Sequence, residues 1–321
     1  MRIKQSPEDF VVHEILGQPL SGHGQHTYFY VEKQGLNTET VAVDLARSVG
    51  LAPHDIGYAG RKDKHAITRQ WFSMPGREGE APADWPLQHP QLRCLQVVRH
   101  GQKLRRGQLW GNHFHLRLCP EREVDESEAN KPEVQIDASK LRGRFANRFG
   151  DQRFAPGVIE RASDWILNRR QRRITRHRQG WYLSVLRSFL FNEVLQYREL
   201  HGDLGAVAGD VLVDGVPTGP LWGRGRSPVS AQAAEYEHLA LAPYGNICEA
   251  LEFAGVKHAR RPLTAMPRSL SMHLVEDKSM HLAFALPAGC YATSLLSHWF
   301  TVKNASSPSP GRCEDENVDD E

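Results

Sequence analysis

The chain has 321 residues, 40% of them hydrophobic and 24% charged, enough for about two ordinary domains with buried cores. It has no run of 18 apolar residues, no apolar signal core in Met1–Phe10, and five scattered cysteines without a C-x-x-C pair. These features argue against a helical membrane span, a secretory signal, a disulfide framework and a Cys-based zinc site, and set the expectation of a reduced, cytoplasmic, metal-free protein.

Ile3 to Ile15 alternates loosely and predicts an opening strand. His26 to Val31 is a β-rich run bounded by Gly22, Gly24 and Gly35. Asn37 reads as the cap of a helix whose face carries Val41, Ala42, Leu45 and Val49, stopped by Gly50. Thr68 to Ser73 predicts a strand, and Pro75, Pro82, Pro86 and Pro90 mark a loop. Phe114 to Leu118 alternates as a strand, while residues 121–137 are acidic and read as a connection or a helix cap region. Helical stripes follow at Val158, Ile159, Ala162, Trp165 and Ile166, and at Leu183, Leu186, Leu190, Val194 and Leu195. His281 to Leu286 is a late strand closed by Pro287 and Gly289. From Ala305 the chain is Ser/Pro/Gly-rich and then acidic, the composition of a disordered tail. Strands and helices mix without a βαβ rhythm, so the expected class is α+β.

Charge is unevenly spread. Residues 314–321 carry six acids and no base, so the remainder of the chain stands at +8 against +2 overall. Eleven arginines lie between Arg142 and Arg178 against three acids, and Arg99 to Arg106 forms a second basic knot. Such concentration is the electrostatic footprint of phosphate binding, although a solvated helix face would have the same composition.

Neither G-x-x-x-x-G-K-[ST] nor G-x-G-x-x-G is present, and neither H-E-x-x-H nor G-x-S-x-G occurs. The segment Gly57 to Phe72 stands out because one carboxylate, Asp63, lies among Arg61, Lys62 and Lys64 in a glycine-bounded turn. Cations hold a carboxylate ionised, as a nucleophile or base requires. The plainer reading is a solvated Lys-Asp-Lys surface turn. Asn147 to Phe154 joins an amide, two arginines and two aromatics, a set able to bond a base edge, stack on its face and hold phosphate. A helix end with buried Phe and exposed Arg explains it equally well.

With these segments in view, the sequence resembles the TruD family of tRNA pseudouridine synthases across about residues 2–300. The resemblance rests on six ordered motifs: Ser6 to Glu14, Gly60 to Thr68, His100 to Phe114, Asn147 to Phe154, Arg187 to Asn192 and Leu286 to Ser294. It implies a pseudouridine-synthase-like catalytic domain with a mixed, largely antiparallel sheet and flanking helices, at residues 1–170 and 266–302. An inserted α+β TRUD domain at 171–265 would pack beside it, with an RNA cleft between them and a disordered acidic tail at 303–321.

The same resemblance implies that Asp63 is the catalytic nucleophile and that Lys4 pairs with it. Phe10, Asn147 and Tyr291 would contact the target uridine, Tyr291 standing where bacterial relatives usually carry Phe. Glu14 and Phe149 would lie near the same pocket. The implied reaction breaks the N1–C1′ bond of a uridine, at position 13 of tRNA, and joins C5 to C1′ without metal or organic cofactor. The implied partner is tRNA, bound by a monomer away from any membrane. Two rival classes stand beside this one: a non-catalytic RNA-binding protein on the same fold, and a glycosidase-like hydrolase. The hydrolase needs a second carboxylate across the bond, and the Asp63 motif offers none.

Overall fold

The computed structural model describes residues 1–76, 84–120, 142–168, 173–275, 279–300 and 303–304. The acidic connection, the acidic tail from Ala305 and the Pro82 part of the predicted loop lie outside the described residues. The chain divides into two compact units: Met1–Ile136, Ser269–Ala288 and Thr301–Glu321 form the first, and Asp137–Arg268 with Gly289–Phe300 form the second. The boundary expected at 170/171 falls inside the second unit.

The first unit is built on an eight-stranded mixed sheet, so the class is α+β as expected. Its strands are β2 (Phe10–Leu16), β3 (His26–Gln34), β4 (Gly57–Tyr58), β5 (Ile67–Pro75), β6 (Leu92–His100), β7 (Leu109–Leu118), β13 (Arg268–Leu274) and β14 (Met280–Pro287). The order is β13-β14-β7-β2-β5-β3-β6, with β4 on β5. β2 and β5 run parallel, whereas β14–β7, β7–β2, β5–β3, β3–β6 and β4–β5 are antiparallel.

The predicted opening strand is two strands. β1 (Arg2–Ile3) is separated from β2 by a short 3-10 turn, Pro7–Asp9. Proline removes a ladder donor at residue 7, and the Asp9 carboxylate accepts the Ser6 N–H at 2.8 Å, which closes the turn instead. β1 is tied at both edges: Arg2 exchanges backbone bonds of 2.8 and 2.9 Å with Cys119, and Arg2–Ile3 pairs in parallel with β15 (Lys303–Asn304). Lys303 and Asn304, read from sequence as the start of the tail, are therefore strand.

Helix α1 (Thr38–Ser48) presents Val41, Ala42, Leu45 and Ala46 to the sheet. They pack with Phe29, Val31, Phe72 and Met74, each such large apolar side chain worth about 1.5–3 kcal/mol on full burial. Asn37 occupies the cap position, but its side chain makes no capping bond; its carbonyl accepts the Val41 N–H at 3.2 Å.

The second unit is led by α2 (Val158–Leu167) and α3 (Arg176–Leu200), with α4 (Ala231–Leu241), α5 (Gly245–Phe253) and α6 (Ala292–Trp299). Both predicted stripes are core: Val158, Ala162, Trp165 and Ile166 pack on Leu186, Leu190 and Val194. Its strands are short. β9 (Leu212–Val213), β10 (Val216–Leu221) and β11 (Ala259–Pro262) form one sheet, and β8 (Phe145–Ala146) pairs with β12 (Thr264–Ala265). The arginine-rich segment is not one solvated face. Arg148 pairs with Glu199, Arg153 bonds Ser184 and Ser188, and Arg178 lies 5.6 Å from the Tyr182 ring centre.

Candidate active site

Asp63 sits on the loop between β4 and β5, and four buried polar side chains from the sheet and α1 fix that loop. Lys33 is fully buried on β3, at the position where the face carrying Phe29 and Val31 would place another apolar residue. Its ammonium donates to the Leu36 carbonyl at 2.7 Å and to the Asp63 carbonyl at 3.1 Å. The Thr38 hydroxyl accepts the Lys62 N–H at 3.0 Å and donates to Gln70 Oε1 at 2.8 Å, while Gln70 Nε2 donates to the Gly60 carbonyl at 3.2 Å. Glu14, buried on β2, pairs with Lys62 and accepts the Trp71 N–H at 3.1 Å. At the loop's entry Gly57 leaves no room for a side chain, since a Cβ there would run into the Leu104 carbonyl.

Two of the motif cations are engaged away from Asp63. Arg61 pairs with Glu39 and Lys62 with Glu14. The partner is Lys4, 59 residues away, whose Nζ donates to Asp63 Oδ2. Lys4 is buried in the left-handed region at φ 58, a conformation costing a non-glycine residue roughly 1–2 kcal/mol. Such strain concentrates where placement serves function. The ammonium also lies 4.2 Å from the Phe10 ring centre, and Phe10 packs edge-on against Phe114 at 6.1 Å with 6% of its surface exposed. Of the first-unit residues singled out from sequence, Lys4, Phe10 and Asp63 are one contact set, and Glu14 supports the loop through Lys62.

Burial by itself raises the Asp63 carboxyl, but the hydrogen bond and charge of Lys4 and the His65 N–H, 2.9 Å from Oδ1, outweigh it. The net shift is downward, so Asp63 is a carboxylate at neutral pH. Its side chain is 31% exposed, so the carboxylate is accessible from outside. Glu14, with a wholly buried side chain, offers no second carboxylate for hydrolysis across a glycosidic bond.

In the second unit, Asn147, Phe149 and Tyr291 meet around a residue that sequence reasoning missed, Arg261. Asn147 Nδ2 donates to the Pro262 carbonyl at 2.9 Å, and its Oδ1 accepts from Arg261 Nη2 at 2.6 Å. Arg261 also donates to the Asn147 carbonyl at 3.0 Å and the Gly289 carbonyl at 3.0 Å. Its guanidinium lies 4.1 Å from the Phe149 ring centre, and Phe149 meets Tyr291 edge-on at 6.0 Å. The Phe149 backbone is clamped by Asn192, which accepts its N–H at 2.9 Å and donates to its carbonyl at 3.0 Å. Arg261 is 9% exposed and has no acidic partner among the described residues. The signal for it was faint: strand alternation in Ala259–Pro262 points Arg261 inward.

Among the described residues no helix is long and apolar enough to cross a membrane. The family described as tRNA pseudouridine synthase D (TruD) matches residues 1–168. A tRNA pseudouridine synthase D of Methylococcus capsulatus is 39% identical, over 92% of this chain and 89% of that protein. One of Cellvibrio japonicus is 38% identical, over 93% and 88%. A crystal structure from Methanosarcina mazei assigned to TruD shares the fold at a TM-score of 0.62 and 20% identity, covering 92% of each chain. With the family match over residues 1–168 and relatives 38–39% identical over most of its length, the chain belongs to the TruD family of tRNA pseudouridine synthases.

Proposed function

We propose that this chain converts a uridine of tRNA, the one at position 13, to pseudouridine with Asp63 as nucleophile. The observation that carries the reading is the Lys4–Asp63 pair: one ionised, accessible carboxylate on a loop fixed by buried polar bonds. The target uridine has to leave its stack to be reached. Asp63 then engages the sugar, either at C1′ or by taking a C2′ proton, the N1–C1′ bond breaks, and the turned uracil rejoins through C5. The C5 proton is released to solvent and N1 takes up a proton, Asp63 returns as a carboxylate (giving back the C2′ proton on the second route), and no electrons are gained or lost. Phe10, Asn147 and Tyr291 are assigned to the uridine: rings replace lost stacking, worth about 1–3 kcal/mol per base, and the amide, with one N–H on Pro262 and one lone pair on Arg261, has a second donor and a second acceptor for the uracil edge. Glu14 and Phe149 are assigned to the support of these groups.

The test is tritium release from tRNA carrying 5-tritiated uridine, under single-turnover conditions. Asp63→Asn keeps the shape without a nucleophile, so the rate falls by several orders of magnitude while tRNA affinity changes little. Substantial release by Asp63→Asn, or free uracil as the product of the parent protein, overturns the reading.

A further inference from the structure

The second unit contains a cavity of about 690 Å³ that belongs to none of the residues discussed above. Its lining includes Arg224, Gly225, Arg226, Lys257, His258 and Arg260, and no acid. Two basic segments are locked together to make it. Arg224 N–H donates to the Val256 carbonyl at 2.6 Å, and His258 N–H donates to the Arg224 carbonyl at 3.0 Å. Gly223 permits that approach, because a Cβ there would press on the Val256 carbonyl. Beneath, Arg187 donates to the Leu221 and Lys257 carbonyls, both at 2.9 Å, and holds the two segments from inside.

The charges divide into used and unused. Arg260 is consumed by Glu237 at 2.5 Å and by Thr218. Glu252 is taken by Trp222 at 3.0 Å. Burial, then the charges of Arg260 and Arg187, lower the His258 pKa, so this ring adds no charge near neutral pH. Arg224, Arg226 and Lys257 are exposed and have no acidic partner among the described residues. Three like charges held around one cavity repel each other unless an anion joins them.

We propose that this cavity is a phosphate site for the backbone of a bound RNA, held by Arg224, Arg226 and Lys257. The identity of that RNA as tRNA rests on the function proposed above, whereas the phosphate chemistry does not. A free phosphate or nucleotide offers the same oxyanion. The polynucleotide is favoured because the three cations are exposed on two segments, open to a large ligand, and because the chain outside its last eight residues stands at +8.

The experiment is filter binding of tRNA between 50 and 300 mM salt by the full chain and by a Arg224→Ala, Arg226→Ala, Lys257→Ala variant, with melting curves as the folding control. Each phosphate contact contributes about 0.7–0.9 to the log–log salt slope, so two or three lost contacts flatten it by about 2 and weaken binding at least tenfold at 0.1 M salt. Calorimetry with inorganic phosphate forms the second arm, with weak or no binding expected. An unchanged slope in a folded variant overturns the proposal. Inorganic phosphate bound by the parent chain and not by the variant, with tRNA binding equal in both, assigns the cavity to a free anion and also overturns it. If the parent binds tRNA with the predicted slope difference but releases no tritium, the phosphate site stands and the catalytic reading fails.

Discussion

Replacing Lys4 by Met isolates the charge that holds Asp63 ionised. Methionine matches the lysine chain as far as Cε and meets the same left-handed backbone at φ 58, so the strain is common to both proteins and cancels. Removing one member of a fully buried ion pair costs about 3–5 kcal/mol. Asp63 is 31% exposed and keeps the His65 N–H, so the expected loss is smaller, about 1–3 kcal/mol at pH 7. The sign with pH follows from linkage. In the parent the Asp63 pKa is depressed, so its contribution is present above the unfolded carboxyl pKa and fades as pH falls through the folded one. In Lys4→Met, burial is opposed only by the weaker influences, the carboxyl titrates at higher pH, and protonation relieves the penalty. The stability gap is therefore largest near pH 7 and shrinks toward pH 4. Urea denaturation at both pH values measures it, and the acid limb of kcat/KM for tritium release moves up by at least about one pH unit, each unit being about 1.4 kcal/mol. Equal gaps at both pH values together with an unmoved acid limb would refute the argument.

Lys33 and Gln70 stand in none of the six ordered motifs of the sequence, yet strand parity carries a signal for both. On β3 the inward positions Phe29, Val31 and Lys33 alternate, on β2 they are Phe10, Val12 and Glu14, and on β5 they are Thr68, Gln70 and Phe72. A lysine and a glutamate on faces otherwise apolar, and a glutamine between Thr68 and Phe72, mark positions where burial has to be compensated by partners. The Asp63 motif misled about its own cations, because sequence adjacency puts Arg61 and Lys62 next to Asp63 while the loop turns them toward Glu39 and Glu14. The Lys4 pairing came from family resemblance, since no local pattern joins positions 59 residues apart. The helical stripes of α2 and α3 were readable because 3.6-residue periodicity is intrinsic to a helix that buries one face. The two-residue strands β8, β9 and β12 were not, because tertiary pairing and not their own pattern makes them strands.

The buried network carries three further expectations. Glu14→Ala strands the Lys62 ammonium and the Trp71 N–H, so it costs about 3–5 kcal/mol in urea denaturation, and a loss under 1 kcal/mol shows that the pair is replaceable. Arg261→Lys keeps the charge but loses the fork that bonds Asn147 and Gly289, costing on the order of 1–3 kcal/mol in the same assay. The third concerns Lys33, whose pKa burial lowers to about 8 although the Asp63 charge pulls the other way. Between pH 8 and the unfolded lysine value of about 10.4, the unfolded chain binds the proton that the folded chain has released, so this group makes stability rise with pH. Tyr28 and Tyr30, pushed up by burial to about 12, and Cys248, also about 12, act in the opposite direction at high pH. The parent chain alone therefore mixes the signs, and the measurement has to be the stability difference between the parent and Lys33→Met from pH 7.5 to 10. That difference shifts in the parent's favour by roughly 2–3 kcal/mol across the window. Neutral Lys33 still has two N–H donors for the Leu36 and Asp63 carbonyls, so the loop keeps its geometry while the desolvated charge is gone. A flat difference over that range would mean that Lys33 stays charged behind Asp63, and that burial is not what sets its proton affinity.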